Sequence, residues 1–188
     1  MIELAPESTV TAFDGFTRIA SGLRGDVTDF LRCHDAAVGV LVFADDTGEQ
    51  VDLDLRVGHE PAPTAPADAT PRGVGRPKLG VVAREVTLLP RHWGWLGRQP
   101  GGASVALRRL VDDARRVNAT RDAERASREC TYRFMSAIAG AQPDFDEAAR
   151  ALFAADRSRF ESYVAPWPAD IADHLLWLSQ ASWGAAPA

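Results

Sequence analysis

A chain of 188 residues with 46% hydrophobic and 25% charged residues has the composition of a soluble globular protein with a core of its own, and excludes a disordered or fibrous class. Two cysteines, Cys33 and Cys130, without a CxxC spacing, exclude a disulfide framework and a thiolate zinc site. The net charge of −5 is unevenly placed. Residues 1–71 hold four arginines against thirteen carboxylates, residues 72–121 hold eleven basic groups against three carboxylates, and residues 122–188 are acidic again.

In chain order, "MIELAPESTVTAF" has neither the basic start nor the apolar run of a signal peptide, and no stretch reaches the roughly 18 apolar residues of a membrane span, so the expected compartment is the cytoplasm. "TVTAFDGFTRIAS" places Asp14-Gly15 between two β-prone runs, which predicts a hairpin on a two-residue type I′ turn. Leu23, Val27, Phe30 and Leu31 recur at helical spacing and predict a short amphipathic helix over 25–34. "AVGVLVFA" is an apolar run of strand length. After the turn residues "DDTG", Val51, Leu53, Leu55 and Val57 alternate with polar residues as in a half-exposed strand. The first 60 residues thus read as a ββαββ module in which Phe30, Leu41, Phe43 and Leu53 share a core.

"PAPTAPADATP", residues 61–71, is a proline- and alanine-rich linker, continued by a basic end to residue 76. Next, "GVVAREVTLL" reads as a strand and Pro90 as the first residue of a short helix whose face carries Trp93 and Leu96. "QPGG" ends that helix. A longer one follows, with Ala103, Leu107, Leu110, Ala114 and Val117 on one stripe. Residues 119–188 read as helical: Thr120 caps a helix ending at Gly140, Asp144 with Glu147 makes a capping-box pattern, and Ile171, Leu175 and Leu178 form a last stripe behind Pro166 and Pro168. The expected class is α+β, divided into 1–60, a linker 61–76, a strand-helix-helix segment 77–118 and a helical region 119–188.

Strand, Leu89-Pro90, short helix, glycine-containing turn and longer helix, in that order over 82–117, resemble the ribbon-helix-helix DNA-binding repressors. The resemblance implies a homodimer in which two strands form a ribbon that enters the major groove. It implies assembly through Val86, Leu88, Leu89, Trp93, Leu107 and Leu110, and a phosphate held at the second helix start by backbone N–H groups of Gly102, Ala103 and Ser104. Base-facing positions of the ribbon fall on Leu88, Val86 and Arg84, of which Arg84 is the one base reader. A register shifted by one exposes Glu85 and Thr87 instead. Just upstream, Gly75-Arg76-Pro77-Lys78 resembles the Gly-Arg-Pro core of AT-hook peptides, which lie in a narrow A·T minor groove. More broadly, "TAFDGFTRIASG", "TGEQVDLDLR", "GRPKLGVVAREVTLLPRHWGWL", "QPGGASVALRRLVDDAR", "YRFMSAIAG" and "WPADIADHL" resemble a bacterial family known as domain of unknown function 2239.

The search for chemistry finds no GxxxxGK[ST], GxSxG or HExxH. Cys33-His34 are adjacent and point about 100° apart on a helix, which separates nucleophile from base. Asp170, Asp173 and His174 within one helical turn are candidate metal ligands, more simply read as caps and solvated charges. Asp45, Asp46, Asp52 and Asp54 are a candidate carboxylate cluster, more simply a solvated sheet face. His92 is a candidate phosphate contact or a structural histidine. No catalytic residue, cofactor or metal is expected. The leading reading is a homodimeric, double-stranded-DNA-binding protein with Arg76, Lys78, Arg84, Arg91, Gly102 and Ser104 as its footprint. The alternative is an interaction module whose strand only builds the dimer, and an enzyme with an unrecognised site comes third.

Overall fold

A computed structural model of the chain describes residues 8–34, 39–55, 82 and 84–184. The architecture is α+β: three antiparallel strands, with one helix among them, precede five further helices. The described residues fall into two compact units, 8–55 with 119–184 in the first and 82–118 in the second. The linker from 61 to 76, with the AT-hook-like motif that continues to Lys78, lies outside the described residues.

In the first unit, strands β1 (Thr9–Asp14) and β2 (Thr17–Leu23) form the expected hairpin. Its turn is displaced by one residue from the sequence reading. Asp14 pairs with Thr17, so the central residues are Gly15-Phe16, and of these only Gly15 takes a left-handed conformation, at φ 57°. A bulge between Ala12 and Phe13 leaves Ile19 as the extra residue of β2. Helix α1 (Arg24–Cys33) follows, then β3 (Val40–Ala44), which pairs with β1 to give the order β2-β1-β3.

Among the described residues the fourth strand of the expected module does not form. Gln50 bridges to Phe43 and the Val51 N–H donates to the Val42 carbonyl at 2.8 Å, but residues 51–55 carry no strand ladder. Their alternation survives, since Leu53 and Leu55 are half-buried against the sheet while Asp52 and Asp54 are exposed.

Because successive side chains leave a strand on opposite faces, the sheet feeds two cores. Val10, Ala12 and Val42 meet Val27 and Leu31 of α1. On the other face Phe13 and Phe43 meet the carboxy-terminal helices. The single core expected for Phe30, Leu41, Phe43 and Leu53 is therefore split: Phe43 and Leu41 belong to the helical side, Leu53 to the α1 side, and Phe30 is exposed and stacks on His34.

Helix α3 runs unbroken from Gly102 to Ile138, 37 residues. The sequence reading divided it at Thr120, but nothing between Val117 and Arg121 breaks a helix. Asn118 turns its amide back onto the Ala114 carbonyl at 2.8 Å, and the pairs Arg116–Asp113 and Arg125–Asp122 brace the stretch at i, i+3. Helices α4 (Phe145–Phe153), α5 (Arg157–Val164) and α6 (Ala169–Leu178) complete the unit, followed by a 3-10 turn, Ser179–Trp183.

Asp144 stands at the α4 N-cap in a left-handed conformation without a side-chain cap bond, so the capping box is not made. Asp156 does cap α5, accepting from the Arg159 N–H. Phe43 meets Phe13 and Phe134 edge to face at the centre, with the Phe43 and Phe134 rings 4.9 Å apart and Phe13 tilted against Phe134, while Met135, Leu152, Phe160, Ile171 and Leu175 fill the space around them. Each such side chain contributes about 1.5–3 kcal/mol by leaving water.

Candidate nucleic-acid and assembly interface

The second unit is built around one proline and two glycines. Leu89 is extended (φ −67°, ψ 150°) and Pro90, with no N–H to lose, opens helix α2 (Pro90–Leu96). Gly97 ends it, donating its N–H to the Trp93 carbonyl at 2.9 Å. The turn into α3 requires Gly101 and Gly102, both left-handed, and a Cβ on Gly101 would press on the Val105 side chain at 3.1 Å. Leu96 and Ala106 are buried here.

Most other side chains of this unit are exposed. Residues 84–89 carry no strand pairing among the described residues, and Leu88 alone among them is half-buried. Val82, Val86, Leu89, Trp93, Trp95, Leu110, Val111 and Val117 are all exposed large apolar residues. Residues 84–118 also hold seven arginines against Glu85, Asp112 and Asp113. Arg116 pairs with Asp113 at 2.7 Å. Arg84, Arg91, Arg98, Arg108, Arg109 and Arg115 have no carboxylate partner among the described residues of this unit.

The first unit contains a different constellation, fully enclosed. The Thr11 hydroxyl donates to Asp45 Oδ1 at 2.8 Å, His174 Nε2 lies 3.8 Å from the same oxygen, and Cys130 Sγ donates to the Asp45 carbonyl at 3.5 Å. Burial pushes the Asp45 carboxyl above its ordinary value, against the hydrogen bond from Thr11. Burial, helped by the charge of Arg18, pushes His174 down to about 4, and burial with the nearby Asp45 pushes the Cys130 thiol up to about 12. His174 is therefore neutral and Cys130 an inert thiol at pH 7.

This is not the order of a hydrolytic triad. The carboxylate stands between hydroxyl and imidazole, so the hydroxyl meets the carboxylate and not the imidazole, and Thr11 and His174 are 1% and 2% exposed. The constellation joins β1, the end of β3, α3 and α6.

The family model for uncharacterised proteins conserved in bacteria (DUF2239) matches residues 9–179. The chain belongs to the DUF2239 family. No curated protein matches it, and no solved structure does.

Within this DUF2239 protein the sequence candidates are distributed as follows. Arg84, Arg91 and Ser104 are exposed, while Arg76 and Lys78 lie outside the described residues. Gly102 is different, because its N–H already donates to the Gln99 carbonyl at 3.0 Å and is not open to a phosphate. Of the assembly candidates, Val86, Leu89, Trp93 and Leu110 are exposed, and Leu88 and Leu107 are half-buried. His92 is exposed.

The two candidate acidic clusters, read from sequence more simply as caps and solvated charges, do not converge. Asp45 turns inward to Thr11 and His174, whereas Asp46, Asp52 and Asp54 are exposed; an open depression is lined by residues 52–55. Asp170 accepts from the Arg18 N–H at 2.8 Å on the β2 edge, Asp173 is exposed and His174 is buried. Among the described residues no three His, Cys, Asp or Glu side chains gather as a metal site, and no helix is long and apolar enough to cross a membrane.

The role of His174 had a signal in the sequence. It stands three residues after Ile171 and four before Leu178, on the buried stripe of α6. Asp45, which faces it, and Thr11, which donates to Asp45, are more than a hundred residues away and had none.

Proposed function

We propose that this protein binds DNA as a homodimer through its second unit. The observation that carries the reading is the cationic surface of residues 84–118, where six of seven arginines have no carboxylate partner among the described residues of the unit. Guanidinium groups without a carboxylate partner among the described residues are available to phosphates, and DNA repays each contact by releasing a condensed counterion. The dimer is supported by the exposed apolar side chains of the same unit. An unpaired segment over 84–89 gains its missing hydrogen bonds by pairing with the same segment of a second copy, and Val86, Leu89, Trp93 and Leu110 then leave water.

The test is fluorescence anisotropy of a labelled mixed-sequence duplex, titrated with the full chain across a salt series. Affinity should fall linearly with the logarithm of salt, with a slope of about 0.9 per phosphate contacted. Arg84→Gln and Arg91→Gln should each lower that slope by about 1. No binding at about 50 mM salt would overturn the reading.

A second reading is favoured by the number of exposed apolar side chains: an assembly module in which the same surface pairs chains without nucleic acid. It predicts a stable dimer that no duplex engages.

A further inference from the structure

Helix α2 carries two exposed tryptophans, and they do not serve one purpose. At about 100° per residue, Trp93 and Trp95 project about 200° apart. Trp93 lies within about 60° of buried Leu96, on the apolar side of the helix. Trp95 points the other way, in one stripe with Arg91 and Arg98 at i−4 and i+3. The near-helical turn after Leu96 keeps Arg98 in that stripe, since its N–H donates to the Trp95 carbonyl at 3.1 Å.

Trp95 is 46% exposed, and Arg91 and Arg98 are exposed beside it. No ring and no cation stacks on the Trp95 indole among the described residues. Its neighbour Gly94 adds nothing to cover it, and a Cβ there would meet no atom within 4 Å. The surface is thus a half-exposed indole between two guanidinium groups that have no carboxylate partner among the described residues. Their backbone positions are about 10 Å apart along the helix.

We infer that the Arg91–Trp95–Arg98 stripe takes single-stranded nucleic acid, with a base stacked on the Trp95 indole and phosphates on the two arginines. The inference rests on the nucleic-acid reading above and names the form of nucleic acid this helix recognises. In an intact duplex each base face is already covered by its neighbours, so a flat exposed indole gains little there. An unpaired base offers that face freely, whatever its identity. A membrane surface fits less well, because Trp95 is flanked by cations and not by the continuous apolar face that insertion needs. An acidic peptide would satisfy the arginines but leave the indole without a flat partner.

The experiment measures anisotropy of a labelled oligodeoxythymidine of about 16 nucleotides and of a mixed-sequence duplex, with the full chain and with Trp95→Ala and Trp95→Phe, whose helicity is checked by circular dichroism. The expected result is that Trp95→Ala weakens the single strand between about 5-fold and 150-fold, leaves the duplex within about two-fold, and is largely rescued by Trp95→Phe. If Trp95→Ala binds the single strand as tightly as the parent while Arg91→Gln and Arg98→Gln weaken both forms, the stacking site is overturned and the DNA reading stands. Failure of the parent to bind either form at low salt overturns both. Trp95-dependent binding to anionic lipid vesicles or to a polyglutamate peptide, with none to the oligonucleotide, overturns the inference in favour of another acidic partner.

Discussion

The imidazole of His174 and the carboxylate of Asp45 face each other inside the first unit, Nε2 to Oδ1 at 3.8 Å, with their side chains 3% and 5% exposed. That separation is too long for a direct hydrogen bond, and His174 Nε2 has no hydrogen-bond partner among the described residues. Around the imidazole stand Trp177 in stacked contact and Phe13 and Phe134 edge-on. A neutral ring is the form this enclosure favours.

The pH dependence of folding follows from that enclosure. His174 is held at about 4 in the folded chain against 6.5 when exposed, so below pH 6.5 the unfolded chain binds a proton that the folded chain refuses. The stabilisation is complete above pH 6.5 and is lost as the pH falls toward 4, by about 3 kcal/mol in all. The raised Asp45 carboxyl opposes this at the acid end, since there the folded chain takes up the proton first. Urea unfolding at pH 7.5, 6 and 5 should show a falling midpoint for the parent and a flatter one for His174→Phe. Equal slopes for the two proteins would show that His174 does not govern the acid limb.

Thr11 is, with Thr9, a donor to the buried Asp45 carboxylate. Replacing it by valine preserves shape and removes the hydroxyl, leaving acceptor capacity without water. Thr11→Val should lower stability by about 1–3 kcal/mol at pH 7, and by less at pH 4.5, where Asp45 is closer to protonation. A loss independent of pH would point to packing alone.

Gly48 holds the turn after β3 against the backbone of α3. It is left-handed at φ 70°, and a Cβ there would collide with the Cys130 carbonyl. Gly48→Ala should therefore cost more than the roughly 1–3 kcal/mol of backbone strain alone, and thermal unfolding by circular dichroism would read it as a drop in Tm. An unchanged Tm would mean that the turn and the helix separate at no cost.

Continuity of α3 can be tested at Arg121. Were Thr120 a cap, position 121 would be the first residue of a helix, where proline is tolerated. In the interior of one helix Arg121→Pro instead removes a hydrogen bond and clashes with the preceding turn, costing about 3 kcal/mol. The measurement is far-ultraviolet circular dichroism with urea unfolding, and parent-like helicity and midpoint would restore two helices.

The proposed self-association through the second unit would place Val86 and Leu110 at an interface. Val86→Asp or Leu110→Asp would bury an unpaired carboxylate there, which weakens a dimer by on the order of 100-fold or more. Sedimentation equilibrium should show a dimeric parent and monomeric variants with unchanged circular dichroism. A parent that sediments as a monomer at all concentrations sinks the ribbon.

Local patterns were legible because they depend on neighbours in sequence. The Asp14-Gly15 hairpin, the apolar stripe of α1, Pro90 as a helix start and the Ile171, Leu175, Leu178 face all follow from dihedral limits and periodicity within a few residues. The uneven charge of the chain and its basic centre were equally plain. The stripe Arg91, Trp95, Arg98 was present in the spacing but is recognised only once Leu96 is known to face inward.

Tertiary structure decided the rest. Residues 51–55 keep strand alternation without a strand, because a ladder needs a partner and burial needs only a surface. Thr120 has the chemistry of a cap, yet the residues around it lose nothing by remaining helical, and the helix runs on. Asp45 looked like one of four solvated carboxylates until Thr11 and His174, from distant parts of the chain, were folded around it. Burial and pKa are properties of such assembled surroundings, and no window of sequence contains them.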